Sequence, residues 1–145
     1  MSSLKIFDIA GSGMAAQNLR LNLVASNLSN VESVSSSVNQ VYRSRQPVFA
    51  TQLQEAINGA KAPAGTDQAS AGVDVLGVVE SQTPPRMEYA PDHPLANADG
   101  YIFHSNVNPV EEMTNMISAS RSYQDNVEVA NTAKQLMMQT IRMGQ

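Results

Sequence analysis

Hydrophobic residues recur at alternating steps of three and four at both ends of this 145-residue chain, but not in its middle. The N-terminal stripe consists of Phe7, Ala10, Met14, Gln17, Leu21, Val24, Leu28 and Val31. A second stripe beside it consists of Ile6, Ile9, Gly13, Ala16, Arg20 and Leu23. The C-terminal stripe consists of Val110, Met113, Ile117, Ser120, Gln124, Val127, Asn131, Lys134, Met138 and Ile141. Such spacing keeps one side of a helix facing a partner helix, as in coiled coils.

The pattern predicts an α+β fold in which two long terminal helices pair as a coiled-coil-like hairpin around a small strand-rich middle region. We expect an N-terminal helical segment at 1–32, a middle region at 33–107 and a C-terminal helical segment at 108–145, together forming one structural unit. Within the middle region, the small and polar residues 58–72 indicate a flexible loop.

The C-terminal helix is predicted from 109 to about 143, because its start carries three capping signals. Asn108 can cap the helix, Pro109 suits the first helical position, and Glu111 completes a capping box. The N-terminal helix is predicted from 4 to about 31, although two glycines lie inside it.

Those two glycines leave two interpretations open. Each of Gly11 and Gly13 costs up to about 1 kcal/mol relative to alanine inside a helix. Either Gly13 and Ala16 allow a close approach between helices, or the helix begins later, with Ser12 as its N-cap. Asn27 falls on the seam, where a polar side chain fixes register at a cost in stability.

The middle region has several strand signals. A Ser-rich turn is expected at 33–41, a strand at 41–49, and a strand or helical turn at 51–57. The β-branched run 73–80 predicts a strand that ends before two prolines. Short extended pieces are expected at 87–89 and 101–103, separated by a turn-rich loop at 91–100.

Charge and composition exclude several classes of function. The net charge is −4 with only nine Lys and Arg residues, so we expect no nucleic-acid partner. No apolar run reaches the roughly 18–20 residues that span a bilayer, so we expect no direct membrane insertion. The apolar stretch 6–16 contains Asp8 and only Lys5 precedes it, which argues against a cleaved signal peptide.

Candidate chemistry is limited to one cluster of titratable residues. Asp92, His93, Asp99, His104 and Ser105 include residue types used for metal binding and nucleophilic catalysis. The two histidines are eleven residues apart, and Ser105 lacks the glycines of a nucleophile elbow. We therefore predict no enzymatic activity, no catalytic residue, no metal and no cofactor.

Several motifs resemble the flagellar axial proteins, the family of rod, hook and hook-associated subunits. They are Ser12-Gly13-Met14-Ala15-Ala16-Gln17-Asn18-Leu19-Arg20 and Ala25-Ser26-Asn27-Leu28-Ser29-Asn30-Val31. Within that family, the chain is similar to proximal rod proteins over Tyr42-Arg43-Ser44-Arg45-Gln46-Pro47-Val48-Phe49, Tyr89-Ala90-Pro91-Asp92-His93-Pro94-Leu95-Ala96, Gly100-Tyr101-Ile102 with Ser105-Asn106-Val107-Asn108, and the C-terminal stretch from Glu112 to Lys134. The resemblance covers nearly the whole chain, apart from about residues 57–72.

The resemblance implies a structural subunit of the proximal rod in the bacterial flagellar basal body. It implies assembly with copies of itself and with other axial proteins into the hollow shaft that crosses the periplasm. It also implies export through the flagellar type III apparatus. The alternative is a soluble helical-bundle adaptor or chaperone. We expect subunit packing at twelve seam and motif residues: Ile9, Gly13, Ala16, Leu23, Asn27, Met113, Ile117, Arg121, Tyr123, Val127, Asn131 and Met138.

Overall fold

The computed structural model describes residues 3–53 and 70–143. Helix α1 spans Ser3–Ser29 and helix α2 spans Pro109–Met143. Between them lie five strands: β1 at Val34–Ser35, β2 at Arg45–Leu53, β3 at Ser70–Glu80, β4 at Arg86–Tyr89 and β5 at Tyr101–His104. Two long terminal helices around a strand-rich middle confirm the predicted α+β class.

The strands form two small antiparallel sheets. One has the order β1-β5-β4, and the other is the β2–β3 hairpin. In the three-stranded sheet, Tyr89 of β4 pairs with Tyr101 of β5. Their ring centroids are 5.1 Å apart in an edge-to-face arrangement. Gly100 turns into β5 with a φ of 81°, a conformation that a residue with a Cβ rarely adopts.

The two helices pack side by side in opposite directions. Arg20 donates a hydrogen bond from Nη2 to Asn115 Oδ1 (3.0 Å). About two turns closer to the N-terminus of α1, Gly13 lies against Asn126. With a rise of about 1.5 Å per residue, α1 is about 40 Å long and α2 about 52 Å. Helix α2 is therefore longer than its partner by about two turns.

The β2–β3 hairpin lies beside α1. Both of its strands contact α1, whereas α2, among the described helices and strands, contacts α1 alone. Helix α1 is thus the middle element, with α2 on one side and the hairpin on another. This arrangement covers α1 on two sides and leaves most of the α2 surface open.

The capping prediction holds for the start of α2 but not for the start of α1. Asn108 Oδ1 accepts hydrogen bonds from the N–H groups of Val110 (3.1 Å) and Glu111 (3.4 Å), which confirms the predicted cap of α2. The interpretation of Ser12 as an N-cap is wrong, because α1 continues through it. Ser12 Oγ instead donates to the carbonyl of Ile9 at 2.9 Å.

The predicted strands correspond to observed ones with shifted ends. The strand expected at 41–49 is β2, which starts at Arg45 and continues to Leu53, and the strand expected at 73–80 is β3. The loop prediction for 58–72 falls outside the described residues except at 70–72, which begin β3. Residues 54–57 of the second predicted segment also lie outside the described part.

Candidate subunit interface

Small side chains form the face along which the two helices meet. Ala10, Ala16, Ala119 and Ala133 are all buried. A Cβ built on Gly13 would lie 2.9 Å from the amide nitrogen of Asn126, which is closer than ordinary contacts allow. Helices whose facing residues are this small approach closely, and they bury little apolar surface against each other. The sequence interpretation of Gly13 and Ala16 as a close helix approach fits this geometry within one chain.

The exposed members of the C-terminal stripe do not face α1. The face toward α1 carries Glu112, Asn115, Ala119, Asn126 and Ala133. Four of them lie one residue before a position of the stripe, and Asn115 lies two residues before Ile117. One residue corresponds to a rotation of about 100° around the helix. Alanine suits this face where the helices approach closely, at Ala119 and Ala133, and polar side chains occupy the positions at which they find partners, as Asn115 does with Arg20.

Large apolar side chains consequently point away from the chain. Met113 is 55% exposed and Ile117 is 57% exposed. We call the exposed apolar members of this row the outward stripe; they are Val110, Met113, Ile117, Met138 and Ile141. They lie in two groups, 110–117 near the start of α2 and 138–141 near its end. The helix therefore keeps alanines and polar side chains inside and large apolar residues outside, which is the reverse of a self-sufficient bundle.

A second apolar surface lies where the N-terminal end of α1 meets α2. Ile6, Val129 and Leu136 line a groove of about 380 Å³. Asp125 and Glu128 flank the groove and give it an acidic edge. Leu136 is 58% exposed. The sequence analysis missed Val129 and Leu136, although their spacing of seven residues was a usable signal.

The twelve predicted packing residues fall into three groups. Toward the chain interior lie Gly13, Ala16 and Asn27. Half-buried positions are Leu23, Tyr123 and Val127. The exposed ones are Ile9, Met113, Ile117, Arg121, Asn131 and Met138. The exposed group, mostly on α2, is the part that a neighbouring subunit could contact directly.

Asn27 is the largest side chain that is fully buried among the described residues. Its Oδ1 accepts hydrogen bonds from Arg45 N–H and from the Tyr42 hydroxyl, each at 2.9 Å. Its Nδ2 donates to the Arg45 carbonyl (2.9 Å) and to Ser44 Oγ (3.3 Å). All four hydrogen-bonding positions of the amide are used. Asn27 therefore fixes the middle region to α1 and has no surface left for another subunit.

The titratable cluster is not assembled into a reaction centre. His104 Nε2 lies 2.8 Å from Glu88 Oε2 on the neighbouring strand. His93 Nδ1 accepts the N–H of Leu95, and Ser105 Oγ accepts the N–H of Val107. Within residues 3–53 and 70–143, no three His, Asp or Glu side chains come together as metal ligands would. In the same ranges, neither helix is long and apolar enough to cross a membrane.

Comparison with known proteins identifies the family. The family described as "Flagella basal body rod protein" matches residues 7–34, and "Flagellar basal body rod FlgEFG protein C-terminal" matches residues 98–143. The chain is 48% identical over 145 residues to "Flagellar basal-body rod protein FlgC" of Salmonella typhimurium, covering all of both chains. It is 48% identical to the Escherichia coli O157:H7 protein of that name, again over both full chains, and 30% identical to the Bacillus subtilis one over 99% of each. The two long helices and the strand-rich middle, with close relatives along their whole length, place this chain in the FlgC family of flagellar basal-body rod proteins.

Proposed function

We propose that this chain builds the proximal part of the rod by packing the outward stripe of α2 against copies of itself and against sibling rod proteins. Family membership makes the chain a structural subunit of the flagellar basal-body rod. The observation that supports the finer proposal is the placement of large apolar residues outside the helix pair and of small ones inside it.

The size of the available contact supports assembly through α2. A fully buried large apolar side chain contributes roughly 1.5–3 kcal/mol relative to an exposed one. The outward stripe holds five such side chains in the exposed class, and the groove at Val129 and Leu136 adds two more. Contacts with two or more neighbours in a tube would bury both surfaces at once, which a single chain does not achieve.

Low surface charge is consistent with the same role. Charged residues make up 15% of the chain, well below the usual quarter. A surface of Ser, Asn, Gln and Thr packs against a neighbour with a smaller desolvation cost than one of Lys and Glu. An assembly surface of this kind needs no catalytic step, and we assign none to the chain.

We infer further that the chain reaches the rod through the flagellar type III export apparatus and keeps its N-terminus. The stretch 6–16 is part of α1, and Ala16 is buried in the folded chain. Cleavage after Ala16 would remove the Gly13 contact with Asn126 and half of α1. Mass spectrometry of the subunit from purified basal bodies should find the N-terminal residues intact; a chain starting at Gln17 would refute this inference.

Gene deletion in the native host tests the proposed function. Electron cryotomography of the motors should show membrane rings and an export gate without a completed rod, and motility should be lost. Re-expression of the gene should restore both. Complete rods, hooks and swimming in the deletion strain would overturn the rod assignment and favour the adaptor alternative.

A further inference from the structure

We propose that two side-chain amides, Asn27 and Asn106, act as a polar latch that sets the angle of the β2–β3 hairpin to the helix pair. The latch would let the hairpin swing as a unit while both helices stay folded. This inference concerns the geometry of one chain and does not depend on the proposed function.

The first amide holds the base of the hairpin in the way a neighbouring strand would. Asn27 bonds both the N–H and the C=O of Arg45, the first residue of β2, each at 2.9 Å. A strand partner in an antiparallel sheet exchanges this same pair of bonds with a residue opposite it. One side chain of α1 thus substitutes for a strand at the point where the hairpin begins.

The second amide holds the other side of the same base. Asn106 Oδ1 accepts the N–H of Ser44 at 2.7 Å, and its Nδ2 donates to the Thr83 carbonyl at 2.8 Å. Ser81 N–H donates to the Ser44 carbonyl at 2.8 Å, so the segments entering and leaving the hairpin are also tied to each other. Asn106 lies just before α2, so each helix is associated with one amide.

Among the described residues, the far part of the hairpin has one polar tie to α1. Val73 N–H donates to Ser12 Oγ at 3.1 Å. From Asn27 to Ser12 the helix rises by about 22 Å. From Arg45 to Thr51, which pairs with Val73, the strand extends by about 20 Å. The two lengths are nearly equal, so β2 runs along α1 from Asn27 to Ser12. Hydrogen bonds connect the hairpin to α1 at its base and again at Val73.

Between these ties the packing is incomplete. A cleft of about 240 Å³ opens between β2 and the two helices, lined by Leu23, Val24, Pro47 and Phe49 and, on α2, by Glu112 and Asn115. Both strands contact α1, but on the β2 side this cleft interrupts the apolar packing. Asn27 is fully buried and Asn106 is half-buried, so leaving either amide unpaired costs free energy, most of all at Asn27. The orientation of the hairpin therefore depends on their hydrogen bonds.

Spin-label distance measurement on the full chain tests the latch. The sequence contains no cysteine, so Leu76→Cys on the hairpin and Gln135→Cys on α2 give two specific labels at exposed positions. Because the backbone of the hairpin packs on α1 and not on α2, a change in the label separation reports a change in how the hairpin lies on the helix pair. We expect a narrow distance distribution in the labelled parent. Asn27→Ala and Asn106→Ala should each at least double its width, while helical circular dichroism stays within about a tenth of the parent.

The matched control is Asn22→Ala, which removes an exposed amide of α1 whose hydrogen bond is to Asn18. It should leave the distribution narrow. Unchanged width in the Asn106→Ala chain, or a broad distribution in the parent, would overturn the latch. A loss of helical signal in step with the broadening in both variants would also overturn it, because the amides would then hold the whole fold. If Asn27→Ala alone loses its helices, the Asn106→Ala result decides.

Discussion

Replacing Ile117 by aspartate should separate folding from rod assembly. Ile117 is 57% exposed on the outward stripe, so the isolated chain has less than half of its side-chain burial to lose. Full burial of such a side chain contributes about 1.5–3 kcal/mol, which sets the loss in the free subunit at about 1 kcal/mol. The folded chain should therefore survive the change.

The same substitution acts more strongly at a subunit contact. A neighbouring helix would enclose an unpaired carboxylate, whose desolvation costs several kcal/mol, and would lose the remaining apolar burial. At about 1.4 kcal/mol per tenfold change in affinity, a loss of about 4 kcal/mol weakens each contact about a thousandfold. The expected phenotype is a soluble, folded subunit that is absent from basal bodies.

The assay compares Ile117→Asp with Ser118→Asp, which adds the same charge to the next exposed residue of α2. Thermal unfolding of each purified chain measures folding, and swimming plus recovery in purified basal bodies measures assembly. We expect both chains to fold and Ser118→Asp to retain most assembly. Normal recovery of Ile117→Asp in basal bodies, or its failure to fold alone, would refute the reasoning.

Three further predictions concern single helices. Gly11→Ala should raise the free energy of unfolding by up to about 1 kcal/mol through helix propensity. Gly13→Ala should raise the free energy of unfolding by less than Gly11→Ala does, or lower it, because the new Cβ meets Asn126. Asn108→Ala should cost about 1 kcal/mol in urea unfolding by removing the cap of α2. Amide exchange in the free chain should be fastest at 134–143 among the described helical residues, because this end of α2 lies beyond Ala133, the last buried residue of the helix.

A specific result would contradict each of these three predictions. Gly11 is the matched control for Gly13, because within the described part of the chain nothing lies within 4 Å of a Cβ built on Gly11. Equal stabilisation by the two glycine substitutions would exclude the close approach at Gly13. For the cap, Gln139→Ala on the exposed surface of α2 should be nearly neutral, and an equal loss there would remove the capping explanation. Uniform exchange along α2 would contradict the expected gradient.

The sequence determined the helix ends better than the helix faces. Asn108, Pro109 and Glu111 act within one turn, so the start of α2 at Pro109 followed from local chemistry alone. Which α2 residues meet α1 depends on how closely the two helices approach. The approach is set by Gly13 opposite Asn126, more than a hundred residues apart, and spacing within one helix carries no information about it.

Asn27 shows the same limit at the candidate site. Its heptad position suggested a polar residue facing another helix. Its hydrogen-bond partners are instead Tyr42, Ser44 and Arg45, at the entry to β2, where the sequence has no helical spacing. Two of its four hydrogen bonds are to the backbone of Arg45, and a backbone partner has no residue type that a sequence could reveal. The exposed stripe on α2, in contrast, was visible as a spacing of apolar residues, and only its partner could not be deduced.

Electron cryo-microscopy of purified basal bodies from the native host tests the account most directly. At side-chain resolution, the map should show Met113 and Ile117 of this subunit enclosed by a helix of a neighbouring rod subunit, with α1 and α2 of one chain still paired through Gly13 and Asn126. A rod in which the outward stripe remains open to solvent or to the channel along its whole length would contradict the account.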